Sequence, residues 1–226
     1  MNKKITQKSS DWLKTKQFIW CSGCSMSWLT MALAKKFDDL NFKKENTWVI
    51  SGIGCVGRVS NYFACNSAHT THGRAIPVAE GIKMVNPDKN VFVVSGDGDL
   101  LSIGLSHLIH AARRNAPLKV VCVNNSIYGM TGGQSSPTTS TGLKTKSYPG
   151  GTLYTPLPVE KILKSIDNIY YRQVKGYDLK GFEEAIEEVI HHQGFGFVEV
   201  MAICITNDPR LKKSENKLKV AKELLK

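Results

Sequence analysis

Between Val91 and Asn125 the chain passes from an apolar, β-branched stretch (Val91–Ser95) into Gly96-Asp97-Gly98-Asp99. A helix-like segment follows over Leu101–Arg114, and a second apolar stretch (Val120–Asn124) ends in Asn124-Asn125. Strand, helix, strand is the pattern of a βαβ unit, because parallel neighbours need a long crossover between them. The alternation continues on both sides. Thr47–Ser51 reads as a strand and Val78–Val85 as a helix. Beyond the central unit come a helix near Val159–Ser165, a strand at Ile169–Val174, a helix at Gly181–His192 and a strand at Phe197–Ile203. This order predicts an α/β fold, doubly wound around a mostly parallel sheet. In such sheets ligands gather beyond the carboxyl ends of the strands. A chain of 226 residues fits one sizeable domain. We divide it into residues 1–206 and a basic C-terminal tail, 207–226.

The ends of the two central strands carry oxygen ligands. Asp97 follows one and Asn125 the other, 28 positions later. Mg²⁺ on a diphosphate needs one or two side-chain oxygens, with phosphate and water completing its octahedron. The flanking glycines let a phosphate approach the backbone, since they have no Cβ. A GDG triplet alone is weak evidence, because many strand-to-helix turns use it. GDG paired with NN at this distance, both at strand ends, is far more specific and resembles the thiamine diphosphate motif.

Six cysteines need a separate explanation: Cys21, Cys24, Cys55, Cys65, Cys122 and Cys204. The N-terminus, MNKKITQKSSDWLKTKQ, lacks the apolar core of a secretory signal. A cytoplasmic location is therefore expected, and disulfides are not. Cys21-Ser22-Gly23-Cys24 is a CxxC, which serves zinc, dithiol redox chemistry or half of a cluster site. A [4Fe–4S] cluster takes four thiolates, the fourth often distant in sequence. Cys55, in the turn Gly52-Ile53-Gly54-Cys55, and Cys204, after an apolar strand, are candidates. Cys122 within Val120–Val123 reads as a small buried hydrophobe, and Cys65 as an inert thiol.

The motifs extend well beyond these points. Asn124-Asn125-Ser126-Ile127-Tyr128-Gly129-Met130-Thr131-Gly132-Gly133-Gln134-Ser135-Ser136-Pro137-Thr138-Thr139 resembles the β subunit of the 2-oxoacid:ferredoxin oxidoreductases. Within that family the MTGGQ-S-PTT run is most similar to 2-oxoglutarate synthase. Ser51–Arg58 (SGIGCVGR) and His69–Ala75 (HTTHGRA) match as well, and the resemblance covers Trp20 to Thr206.

The resemblance implies a thiamine diphosphate-binding fold of the diphosphate half. It implies Mg²⁺ on Asp97, Asn125 and the carbonyl of Ile127, and a [4Fe–4S] cluster on Cys21, Cys24, Cys55 and Cys204. Cofactor contacts are expected from Ile53, Gly54, Cys55 and Val56, and from His72 in the HGR run. Gly96, Gly98, Asp99, Gly129 and Met130 complete the expected set. On spacing alone, His69 and His72 could instead share one helical face. The implied reaction is CoA-dependent oxidative decarboxylation of 2-oxoglutarate to succinyl-CoA and CO2 with reduction of ferredoxin, or its reverse. The same chemistry on pyruvate or a branched 2-oxoacid is the first alternative, with Met130 and Gly132 the positions to suspect. A non-redox thiamine decarboxylase subunit and a zinc module are more distant ones. No catalytic residue is assigned here. The glutamate that activates thiamine belongs to another domain in this family, so an α subunit is expected, with further small subunits as an option. Glu80 fits a helix better than that role. One departure is Ser22, where relatives commonly carry proline.

Two features remain. The formal charge is +11, but residues 1–16 hold five Lys against one Asp, and residues 207–226 hold seven Lys or Arg against three acids. The ends thus carry most of the excess. Such ends suit steering of an acidic carrier such as ferredoxin. No aromatic-interleaved basic stripe points to nucleic acid, and no apolar run is long enough for a membrane span. The Gly/Pro/Ser/Thr-rich stretch between Gly132 and Pro158 is expected to cover the cofactor and pack on a partner, disorder being the alternative.

Overall fold

Strands that are buried on both faces read as unbroken apolar runs, and the central runs of this chain behave so. A computed structural model describes residues 11–226. Of the basic stretch 1–16, residues 1–10 lie outside the described residues. A six-stranded sheet has the order β2-β1-β3-β4-β8-β7, and every neighbouring pair is parallel. The strands are β1 (Thr47–Ser51), β2 (Asn66–His69), β3 (Asn90–Gly96), β4 (Lys119–Asn124), β7 (Tyr170–Lys175) and β8 (Gly196–Met201). A separate hairpin joins β5 (Ile127–Tyr128) to β6 (Gln134–Ser135).

Side chains alternate across the sheet with period two. Phe92, Val94, Val121, Val123, Val198 and Val200 face one core, with α1 (Met26–Asp39) and α5 (Leu179–His191) above them. Val91, Val93, Val120, Cys122 and Phe197 face the other, under α2 (Ala75–Val85), α3 (Leu105–Arg113) and α4 (Val159–Lys164). The sheet is therefore covered on both sides, as the sequence predicts. Helix α5 shows why it forms: Phe182, Ala185, Ile186 and Val189 bury one stripe, and the Asp178 carboxylate caps it by accepting from Gly181 N–H. Cys122 is fully buried, as a small hydrophobe.

Three expectations change. The helix expected over Leu101–Arg114 is divided: Asp99–Ile103 is a π-helical turn, closed by Gly104 N–H donating to the Asp99 carbonyl, and α3 starts after it. Such turns lie often at functional sites. His69 and His72 do not share a helical face, because His69 ends β2 and His72 lies in the following turn. Strand β2 has no sequence signal, because Asn66-Ser67-Ala68-His69 is an edge strand with little to bury. Strand β8 stops at Met201, short of Ile203.

The stretch from Gly132 to Pro158 follows a defined path, held by turns such as Thr152 N–H to the Leu143 carbonyl and Gly142 N–H to the Thr152 carbonyl. Residues 207–226 form a 3₁₀ turn (Pro209–Leu211) and helix α6 (Lys217–Leu224). Leu211 and Ala221 bury against Ile203 and Ile205 in a small cluster of their own. No helix among the described residues is long and apolar enough to cross a membrane.

Candidate functional site

The carboxyl ends of β1, β3, β4 and β8 open on one side of the sheet. Asp97 follows β3, Asn125 follows β4, Cys55 lies beyond β1 and Cys204 beyond β8. Two cavities result. The first, about 170 Å³, is lined by Ile53, Gly54, Cys55, Val56 and His72 from the β1 and β2 ends. From the β3 and β4 ends it takes Gly96, Asp97, Gly98, Asp99, Asn125, Ile127, Gly129 and Met130. Every residue expected at a thiamine diphosphate site therefore lines one cavity.

Asp97 is 2 % exposed. Burial lifts its carboxyl to about 6, and only neutral donors (Ser136, Thr138 and the Asn125 backbone) act against that rise. A buried carboxylate without a cation is costly, so this oxygen pair fits a metal ion. Asn125 forms an Asx turn, its Oδ1 accepting from Ile127 N–H at 3.1 Å, with Ser126 at φ +60° between them. The turn carries the Ile127 carbonyl past the strand end. Asn124 is structural: its amide donates to Glu199 (2.7 Å), and its Oδ1 accepts from Ser126 N–H and the Thr138 hydroxyl. Sequence reasoning missed Ser136 and Thr138. The run of hydroxyls in SSPTT was their signal, and Thr138 reaches Asp97 Oδ2 at 3.2 Å.

Asp99 plays an inward role. Its side chain is shut away from solvent. It accepts from Ile53 N–H (3.0 Å), Gly73 N–H (2.8 Å) and the Ser95 hydroxyl (2.9 Å), and His72 Nδ1 lies 2.7 Å away. One carboxylate thus ties together the turns after β1, β2 and β3. A carboxylate only accepts, so the imidazole hydrogen is assigned to Nδ1, leaving Nε2 for the cavity. Gly52 makes room: a Cβ there would fall on the Asp99 carboxylate. Gly52→Ala is expected to destabilise by about 1–3 kcal/mol, the usual cost of overpacking, and to weaken cofactor affinity. Thermal melts and a thiamine diphosphate titration check both, and unchanged melts would contradict the packing argument. Glu80 sits in α2 paired with Arg114 (2.6 Å), away from the cavity.

The second cavity, about 120 Å³, is lined by Cys21, Cys24, Cys55 and Cys204 together. None of them is in a disulfide. Burial pushes the thiols of Cys24 (to about 11), Cys55 and Cys204 up. Such buried thiols favour the protonated form, and only a positive charge beside them, such as a metal's, would hold them as thiolates. Among the described residues no three His, Cys, Asp or Glu side chains converge tightly enough to grip a single metal ion. A lone zinc would need its sulfurs roughly 3.8 Å apart, from Zn–S bonds of ~2.3 Å in a tetrahedron. A cubane spreads its four thiolates wider, around its outer corners. Cys65 stands apart, packed against the α1-side core, its thiol lifted to about 11 by burial.

A family model described as the thiamine pyrophosphate enzyme, C-terminal TPP binding domain, matches residues 23–200. The 2-oxoglutarate synthase subunit KorB of Archaeoglobus fulgidus is 42 % identical over 200 residues, which cover 88 % of this chain and 74 % of the relative. This chain belongs to the β subunits of the 2-oxoacid:ferredoxin oxidoreductases. KorB of Methanocaldococcus jannaschii is 43 % identical over 188 residues, covering 83 % of this chain and 70 % of that one. A solved 2-oxoglutarate:ferredoxin oxidoreductase from Magnetococcus marinus, with 2-oxoglutarate, coenzyme A and succinyl-CoA bound, superposes with a TM-score of 0.85. It is 30 % identical, and the match covers 99 % of this chain and 82 % of that one. The chain is thus an oxidoreductase subunit with a thiamine diphosphate-binding domain, and subunit names in this β-subunit family imply a hetero-oligomer.

Proposed function

We propose that the chain carries Mg–thiamine diphosphate and a [4Fe–4S] cluster in a CoA-dependent 2-oxoglutarate:ferredoxin oxidoreductase, and works only with an α subunit. The observation that supports it most is the wall between the two cavities: Cys55, Val56, Asn125, Gly129 and Met130 line both. A decarboxylase site needs no one-electron acceptor. A ferredoxin-linked oxidoreductase site needs one within reach, and here it would stand one residue layer away.

When bound, thiamine diphosphate supplies the carbanion chemistry that decarboxylates a 2-oxoacid, and the cluster accepts electrons one at a time. Asp97, Asn125 and the Ile127 carbonyl would hold Mg²⁺ against the diphosphate. Gly98 lets the Tyr128 ring pack against the β3 end beside the cavity, since a Cβ there would meet that ring. Asp99 fixes His72 and the Ile53 turn around the same anion. Cys21, Cys24, Cys55 and Cys204 would bind iron, and the Trp20 indole N–H, donating to the Cys55 carbonyl (2.7 Å), ties the CxxC loop to the turn after β1.

A partner is needed because the first cavity is too small. At about 170 Å³ it falls below the roughly 300–1,000 Å³ of a complete small-molecule site. Ile53 and Met130 are apolar and exposed at its rim, 41 % and 47 %. In this reading the α subunit covers them, supplies the activating glutamate and completes the 2-oxoacid pocket. Co-expressed with its α partner, the complex is expected to reduce ferredoxin with 2-oxoglutarate and coenzyme A, with a higher kcat/KM than for pyruvate or a branched 2-oxoacid. The chain alone is expected to show no turnover. CoA-dependent activity from the pure single chain would overturn the two-subunit reading, and preference for another 2-oxoacid would overturn the substrate.

A further inference from the structure

We propose that Thr206 sets the reduction potential of the [4Fe–4S] cluster by donating its hydroxyl hydrogen to the sulfur of Cys21. This rests on the cluster reading above and goes beyond it, since Thr206 is not itself a ligand.

The Thr206 hydroxyl lies 2.9 Å from Cys21 Sγ, and the two residues are 185 positions apart. The contact depends on how two loops are built. The CxxC loop is closed by Cys24 N–H donating to the Cys21 carbonyl at 2.9 Å. The loop after β8 is closed by Asp208 N–H donating to the Cys204 carbonyl, and by Asn207 donating its amide to the Gly129 carbonyl at 2.7 Å. Helix α6 braces both, because Leu218 packs against Gly23 and Ala221 buries with Ile203 and Ile205, while Tyr177, after β7, hydrogen-bonds the Gly23 carbonyl. Thr206 is therefore held facing Cys21 by elements that have other anchors.

The four sulfurs are not equivalent. Cys24, Cys55 and Cys204 are partly buried, whereas Cys21 is exposed. Cys24 takes a backbone hydrogen bond from Met26, and Cys204 takes two, from Thr206 and Asn207. Cys21 has a side-chain hydroxyl, which can be altered without touching the main chain. Hydrogen bonds to cluster sulfurs and solvent exposure are among the factors that set the potential. Reduction adds one electron to the cluster and no proton, so its ligand sulfurs become more negative and a donated hydrogen bond strengthens. Losing the donor penalises the reduced state more than the oxidised one and lowers the potential. Cys21 is also the corner open to solvent, where a soluble electron carrier would approach, so its electron density bears directly on transfer.

The test is an anaerobic potentiometric EPR titration of the co-expressed complex, with dithionite as reductant. Wild type, Thr206→Ser and Thr206→Val are compared, with iron and sulfide measured on each sample. Thr206→Val is expected to disfavour the reduced cluster about fivefold, equal to roughly 40 mV more negative at 59 mV per tenfold for one electron. Thr206→Ser, which keeps the hydroxyl, is expected to match wild type, with iron content equal in all three. Equal potentials in wild type and Thr206→Val overturn the proposal and leave the cluster standing. Loss of iron from Thr206→Val alone also overturns it, because Thr206 would then be holding the site together. Absence of iron from wild type defeats the cluster reading itself.

Discussion

Asp97→Asn is expected to weaken Mg–thiamine diphosphate binding by about 100-fold or more and to lower turnover with it. Removing a partner that only orients a ligand costs about 10–100-fold, and this change removes a charge from the ligand set itself. Asp97 and Asp99 are both buried at the cavity, but Asp99 is tied to three turns, whereas Asp97 is surrounded by neutral hydroxyl and amide donors. Beside the diphosphate, a metal ion there would gain its protein counter-charge from this one group. Without metal the same charge is a burden, since no cation compensates for its lost hydration. The melting temperature of the cofactor-free complex is therefore expected to stay level or rise in Asp97→Asn. Calorimetric titration with Mg–thiamine diphosphate, beside thermal melts with and without cofactor, separates the two effects. Unchanged affinity would remove Asp97 from the metal site, and a collapsed melt would make it a structural residue.

Cys204→Ala is expected to have the other large effect, and on a different observable. Cys204 reaches the cysteine cavity from the end of β8, far in sequence from the CxxC loop. A cubane deprived of one of its four thiolates is readily lost. The complex should fall by about four irons per β chain, and ferredoxin reduction should drop to background. Thiamine diphosphate binding should survive, since Cys204 does not line the first cavity. Elemental analysis and cofactor titration on the same preparation decide it. Full iron with Cys204→Ala would remove Cys204 from the ligand set, and zinc in the wild type would favour a structural metal.

Much of this arrangement was legible in the sequence because strand ends and ligands coincide. Asp97, Asn125, Cys55 and Cys204 each follow an apolar run, and parallel strands bring their carboxyl ends to one side. Cys21 and Cys24 announced themselves by spacing. That they share a cavity with Cys55 and Cys204 is a property of packing, and only the family resemblance anticipated it. The role of Asp99 was less visible. GDGD suggests a cofactor contact from Asp99, but burial and four inward partners also make this carboxylate a tie between three turns. Thr138 and Thr206 were invisible as individuals, because a hydroxyl finds its acceptor through loop geometry that no short pattern encodes. The basic stretch 207–226 misled by its charge: Leu211 and Ala221, spaced among lysines, are enough to seat α6 on the β8 end.

The adjacency of the two cavities is the centre of this account, and one measurement tests it most directly. The anaerobic complex, with Mg–thiamine diphosphate bound and no ferredoxin present, is mixed with 2-oxoglutarate and frozen for EPR. A reduced-cluster signal that grows with 2-oxoglutarate, and is absent from Asp97→Asn, is the predicted result. A cluster that dithionite reduces but 2-oxoglutarate leaves oxidised would contradict electron transfer across the wall of Cys55, Val56 and Gly129.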